Sequence, residues 1–524
     1  MVIALGYSME KLKRLSLVKV LKFAMLAHLD TRMTAIAIAF AAVIFVSQGQ
    51  AASDESNKTT RSAIRLSGSL VNDLTRFDHW LRSGSLNRDN CSQVLPDVFQ
   101  AIRMAKSGDF DQSEIRLKAK SLIQQSWKMR QELRAWLKIV SSEQPVSQEC
   151  LVAVRNVYRA SRFIEDYLVD PTVIAPDGDY PKTSKILKSP APLLKAGQKA
   201  FDSKTDLKSG DVLLSRGDAL TSAAIARLGD IDAQFSHAAL VYVDPDTQKI
   251  YTIEAHIEFG VVVAEFSKYL DDGKVRSALF RQSDEELGAR AGKIMYDYAN
   301  RKKAKTGENI HYDFGLNLRD HKTVFCSEVV NMAYEAASKG QYIVPQVNSR
   351  LDELSRTPFL KDLGVSEAES FLPGDLEMDT RFELIAEWRD HLKMRETHLK
   401  DALLTKMYEW MMVDNYALDP HFKAGILAKY IVHTIRQFPL FGKLFADQFP
   451  KYMPRTTLET IVVLQQAGEP ILKELDSRET DFWQKTQRRM SASELYSTLE
   501  DIKSADRQNY LNGRKTVFHK YFHN

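Results

Sequence analysis

Between Asn57 and Leu168 the apolar residues of this 524-residue chain recur three and four places apart, and from Val212 to Arg281 they gather in short β-rich runs. The first pattern belongs to helices that bury one face and the second to strands. The chain therefore joins a helical region to one built on a sheet. Leu66, Leu70, Leu74, Phe77 and Leu81 outline one helix, and Leu95, Val98 and Ile102 a second. Ile115, Ala119, Leu122, Met129, Leu133 and Trp136 outline a third, and Val154, Val157, Ile164 and Leu168 a fourth. Gly84, Gly108 and Pro145 punctuate them, while Asp111 with Glu114, and Ser147, supply N-terminal caps. A four-helix bundle over residues 53–170 follows.

Residues 171–206, with Pro171, Pro176, Pro181, Pro190 and Pro192, read as a linker. Strands are expected at Val212 to Ser215, His237 to Val243, Ile250 to His256, Val261 to Ala264 and Ser277 to Arg281, with Asp244-Pro245-Asp246-Thr247 as a hairpin connection. A helix from Asp284 to Arg301 and another starting at Cys326 complete an α+β domain over residues 207–375. From residue 376 to 524 the pattern reads as helical again, with Phe382 to Met412, His421 to Gln437 and Thr457 to Leu475, then a polar tail from Ser491. The stretch Ile431 to Met453 suits a packed helical core better than a membrane surface.

Residues 1–52 read as an export signal or a membrane anchor. A basic leader precedes an uncharged apolar run from Met33 to Val46, and Gly49 and Ala51 stand where a signal peptidase cleaves. The run is shorter than the roughly 20 apolar residues of a spanning helix, yet no charge follows before Asp54, so an uncleaved anchor stays open. Seventy-two Lys and Arg against 68 Asp and Glu leave a net charge of +4, too small a surplus to mark a nucleic-acid surface. The three cysteines, Cys91, Cys150 and Cys326, suggest one pair plus one free thiol in an exported chain. An up-and-down bundle would bring Cys91 and Cys150, at the starts of helices two and four, to one end; two unpaired thiols are the alternative.

Cys326 lies in Val324-Phe325-Cys326-Ser327-Glu328-Val329-Val330, at the first turn of an amphipathic helix. Unpaired N–H groups and the helix dipole favour a thiolate there, and they can hold an oxyanion. A buried, inert cysteine is the bland reading. His237 stands at the mouth of an apolar strand and needs a partner; Glu254 and His256 share one face of the next strand. Either can fix the tautomer of His237, as the third member of a triad must.

Four pieces in order carry a resemblance: Lys208-Ser209-Gly210-Asp211-Val212, Ser236-His237-Ala238-Ala239, Ile253-Glu254-Ala255, and Tyr312-Asp313-Phe314 upstream of Phe325-Cys326-Ser327-Glu328. From about Leu207 to Ala337 the chain resembles the permuted papain-like amidases of the YaeF/YiiX type, relatives of the NlpC cell-wall hydrolases. The histidine strand precedes the cysteine helix, the reverse of the ordinary papain-like order. The resemblance implies a circularly permuted papain-like catalytic domain with Cys326 as nucleophile, His237 as base and Glu254 as third residue. His256 keeps that last assignment open. Asp211 is expected to hold the first strand's turn, and Tyr312 and Asp313 to pack a loop.

The reading is an exported cysteine hydrolase that cleaves an amide or ester, such as a cell-wall peptide or an acylated substrate, through an acyl-enzyme and without a cofactor. An acyltransferase using the same thiolate, or a binding protein on the same fold, are the other classes. His519 and His523 lie one helical turn apart but lack a third metal ligand nearby, so a solvated tail is expected.

Overall fold

Val212, Leu213 and Leu214 are wholly buried, because the strand they form runs through the middle of a sheet. The computed structural model describes residues 66–184, 191–196, 201, 203–230, 232–351, 357–419 and 452–524. In chain order its strands are β1 (Thr183–Ser184), β2 (Ala191–Lys195), β3 (Val212–Gly217), β4 (His237–Val243), β5 (Ile250–His256), β6 (Gly260–Glu265) and β7 (Lys274–Gln282). After them come β8 (Ser349–Arg350), β9 (Glu369–Ser370) and β10 (Phe382–Arg389). Eight form one sheet in the order β1-β2-β10-β7-β3-β4-β5-β6, and every neighbouring pair is antiparallel.

The turn before β3 is held by its own sequence. Asp211 accepts the Lys208 N–H at 2.8 Å and clamps Arg281 of β7 through two bonds of 2.7 Å. Gly210 adopts φ +89°, and a Cβ there would stand 2.2 Å from the Gly288 carbonyl oxygen, so the close approach of helix Glu285–Thr306 requires glycine. Asp211 thus does the structural work its sequence suggests. Helix Glu285–Thr306 packs on β4 and β7, and helix Cys326–Ala337 packs on β4 and β5.

Helices Leu70–Arg82, Cys91–Met104, Ala119–Glu143 and Gln148–Leu168 occupy the N-terminal positions their periodicity predicts. Ser147 caps the last by accepting the Cys150 N–H, and Asp111 caps a separate short helix, Gln112–Leu117. Cys91 and Cys150 form a disulfide with their Cα atoms 5.4 Å apart, and Cys326 is free.

Two stretches depart from expectation. Phe382–Arg389, read as the start of a helix, is a strand between β7 and β2. Its sequence alternates, with Phe382, Leu384, Ala386 and Trp388 set against Glu383, Glu387 and Arg389, yet Glu387 and Arg389 are buried and paired instead of facing water. The stretch read as a linker contributes β1 and β2 to the sheet edge.

The same strand binds the N-terminal helices to the sheet through charge. Arg130 bridges Glu165 and Glu387 at 2.7 Å each, Arg389 reaches Asp166 at 2.6 Å and Glu165 at 3.0 Å, and Arg162 pairs with Glu377. Breaking one buried partner leaves an uncompensated charge, so the seam enforces one way of docking. Helices Met394–Val413, Arg455–Thr486 and Ala492–Leu511 share a core with Leu220, Leu316 and Phe325. The tail is no solvated end: Phe518 and Phe522 are fully buried, and His519 is bonded to Asp506 and Tyr416. Among the described residues no helix is long and apolar enough to cross a membrane. The expected export segment lies outside them, as do the helix His421 to Gln437 and nearly all of Ile431 to Met453.

Candidate active site

Cys326 is the first residue of its helix, and Phe325 is the N-cap. Phe325 has no side-chain acceptor, so Glu328 turns its carboxylate back to the Phe325 N–H at 3.3 Å, leaving the other oxygen to His321 Nδ1 at 2.8 Å. The Phe325 ring lies in the core shared with the C-terminal helices, which fixes where the helix begins. The cysteine is 5% exposed and aligned with the positive end of the dipole.

His237 opens β4 beside that helix start. Its Nε2 stands 2.8 Å from Glu254 Oε2. Leu240 of β4 pairs with Ile253 of β5, and that register brings Glu254 diagonally within reach of His237. Thr252 donates its hydroxyl to Glu254 Oε1 at 2.6 Å, so both carboxylate oxygens are engaged. His256 Nε2 lies 3.6 Å from the same Oε2, and its ring centroid is 5.1 Å from that of His237.

Charge follows geometry. Burial alone would lower the pKa of His237, but hydrogen bonds to Cys326 and Glu254 carry it up to about 9. Burial would raise the Cys326 thiol, yet the hydrogen bond and positive charge of His237, with the Ala238 N–H, bring it below its ordinary value. Glu254, which burial would likewise raise, is pulled to about 2 by His237. Burial and the neighbouring His237 charge push His256 down. The other three shifts each favour the charged form: a thiolate at Cys326, an imidazolium at His237 and a carboxylate at Glu254.

The structure thus joins Cys326, His237 and Glu254, with His256 one step outside the hydrogen-bonded chain. Asp313 accepts the Gly315 and Asn317 N–H groups at 2.8 and 2.7 Å, a loop-shaping role. Tyr312 packs against the core shared with the C-terminal helices and against the Phe314 ring, and it also interacts with the thiol; burial and the Cys326 charge hold its phenol well above its ordinary pKa, so it stays a donor. Its position directly before Asp313 in the loop leading to Cys326 was the available signal. The surface cleft lined by Leu318, Arg319, Asn348, Arg350, Glu367 and Glu369 contains none of these residues.

A cysteine at a helix start, a histidine at a strand start and a carboxylate on the neighbouring strand define the papain-like class of site. Residues 206–385 match the model of the family described as permuted papain-like amidase enzyme, YaeF/YiiX, C92 family. That match supports a papain-like amidase or peptidase acting on amide-containing substrates, and it ends inside β10. Searches of curated proteins and of solved structures each found no match.

Proposed function

We propose that the protein is an exported cysteine hydrolase that opens an amide or ester bond through an acyl-enzyme on Cys326. The observation that carries this reading is the His237 Nε2–Glu254 Oε2 bond of 2.8 Å, set beside a helix-start cysteine whose thiol the His237 charge pulls down. The Cys326 thiolate attacks the carbonyl carbon, a carbon–sulfur bond forms, and the carbonyl oxygen becomes an oxyanion. On this reading the N–H groups of the helix start and the Tyr312 hydroxyl, which interacts with the thiol, serve as its donors. His237 gives its proton to the leaving amine or alcohol as the acyl bond breaks. Water, deprotonated by the now neutral His237, then attacks the acyl carbon, the carbon–sulfur bond breaks, and the acid leaves with the Cys326 thiolate and protonated His237 restored. Glu254 holds the ring and offsets its charge.

Export is supported by the Cys91–Cys150 disulfide, since such bonds persist in oxidising compartments, and by the free state of Cys326. On this reading the N-terminal helices form a four-helix bundle module, residues 1–52 direct export or anchor the chain to a membrane, and cell-wall peptides or acylated lipoproteins are the substrates within reach. Incubating the purified protein with stem-peptide and acyl-amide libraries and identifying products by mass spectrometry tests it. Free acid supports hydrolysis. Transfer of the acyl group to an added amine at modest concentration supports an acyltransferase, and no turnover of any library supports a binding protein.

A further inference from the structure

The edge of the sheet that holds His237 also brings a further imidazole, His256, to the carboxylate of the catalytic pair, an imidazole that acyl transfer leaves unused. His237 Nε2 and His256 Nε2 point at the same oxygen, Glu254 Oε2, from 2.8 and 3.6 Å. The longer separation exceeds a hydrogen bond, so the His256 ring is aimed at a carboxylate oxygen it does not bond. The ligand atoms of all three residues lie within 4.8 Å of one another. The second oxygen of Glu254 is held by the Thr252 hydroxyl at 2.6 Å, the kind of outer contact that orients a metal-binding carboxylate. The two imidazole side chains are 18% and 23% exposed, which leaves room for a water on the open side.

Two imidazole nitrogens, one carboxylate oxygen and an open fourth position make a ligand set that suits zinc. Tetrahedral zinc with bonds of about 2.0–2.2 Å sets neighbouring ligand atoms about 3.4 Å apart. The observed 2.8 and 3.6 Å straddle that spacing, and the two imidazole nitrogens lie within 4.8 Å of each other.

We propose that His237, Glu254 and His256 form a binding site for a divalent transition-metal cation, zinc by its ligand chemistry, and that occupancy holds the enzyme inactive. On binding, a nitrogen–metal bond forms at His237 Nε2 and the proton carried there leaves to solvent. Glu254 Oε2 exchanges a hydrogen bond for a metal bond, and no electrons change hands. The other ring nitrogen can keep its proton toward Cys326, but releasing it would leave an imidazolate, so the leaving group goes unprotonated. The metal is thereby a reversible brake that engages when the exported chain meets free zinc. The effect on turnover rests on the cysteine-hydrolase reading, whereas the binding does not, so the two can fail separately.

The test uses the full chain carrying Cys326→Ala, which removes the thiolate as a competing ligand. Titration with Zn2+ against a chromophoric chelator should give one cation per chain, and Co2+ should give visible bands of nitrogen and oxygen ligation with no thiolate charge-transfer band. Adding His256→Gln or Glu254→Gln should weaken Zn2+ by at least about tenfold. In the protein with its cysteine, Zn2+ should stop turnover and a chelator should restore it. The Co2+ spectrum needs no ligand variant, so the site is tested even if one misfolds. Absence of stoichiometric binding to Cys326→Ala, or an affinity unchanged by both ligand substitutions, would overturn the proposal.

Discussion

Cys326 and Glu254 raise the proton affinity of His237, and His237 lowers that of Cys326, so the two effects should be separable by substitution. At pH 6 to 7 an ordinary thiol is protonated, whereas Cys326 should already react with iodoacetamide; His237→Ala should return its labelling profile toward that of a free cysteine. Glu254→Gln should cost less, because it only orients the ring. If His256→Ala abolishes reactivity as fully as His237→Ala while Glu254→Gln is silent, the carboxylate is misassigned. Turnover should also fall as pH rises through about 9, where His237 loses the proton it must donate. Tyr312→Phe should lower kcat by about a hundredfold, the usual effect of losing one oxyanion donor, while leaving thiol labelling intact. Equal losses in kcat and labelling would make Tyr312 a thiol-positioning group instead.

At the scale of elements, the helix start and the charged seam carry separate predictions. Glu328 on the cysteine helix is raised by burial to about 7, against the pull of His321. A carboxyl that binds its proton more tightly when folded stabilises most below its unfolded pKa, near 4.3, and loses that contribution as pH rises toward 7. Melting curves across that window should therefore fall more steeply for the wild type than for Glu328→Gln; parallel curves would contradict the assignment. In the seam, Arg389→Met leaves Asp166 and Glu165 short of a partner and should cost about 3–5 kcal/mol in denaturant unfolding. Strands β3 to β7 were legible because they are short β-rich runs and their turns carry Asp211 or the Asp244-Pro245 pair. Strand β10 was missed although Phe382, Leu384, Ala386 and Trp388 alternate with Glu383, Glu387 and Arg389, because it leads within a few residues into the helix Met394–Val413 and was absorbed into that pattern. The partners that bury Glu387 and Arg389 lie in helices more than 200 residues away. Glu254 could be placed with His237 from the period of two, but choosing it over His256 needed the side-chain geometry, because the register of β4 against β5 sets His256 opposite His237 and Glu254 on the diagonal.

Across the whole molecule, the flanking helices do more than decorate a catalytic segment. The C-terminal helices pack on Phe325 beside the nucleophile, and the N-terminal helices are bonded to β10. Neither dependence was visible from motifs, which end near Ala337. The Cys91–Cys150 bridge spans 59 residues, so replacing both cysteines by alanine should cost about 2–4 kcal/mol while leaving Cys326 chemistry unchanged in the folded fraction. Intact-mass analysis of secreted material should find a mature chain starting near Ala52, with that pair oxidised and Cys326 alkylatable; a bridge through Cys326 in active protein would refute the sorting. The claim on which all of this turns is that Cys326 carries the acyl group. Treating the protein with an acyl-directed electrophile or a slow ester substrate and mapping the adduct by peptide mass spectrometry should place it on Cys326, and Cys326→Ser should bind the same substrate with turnover largely lost. A label settling on Cys91 or Cys150, or full turnover by Cys326→Ser, would contradict the account.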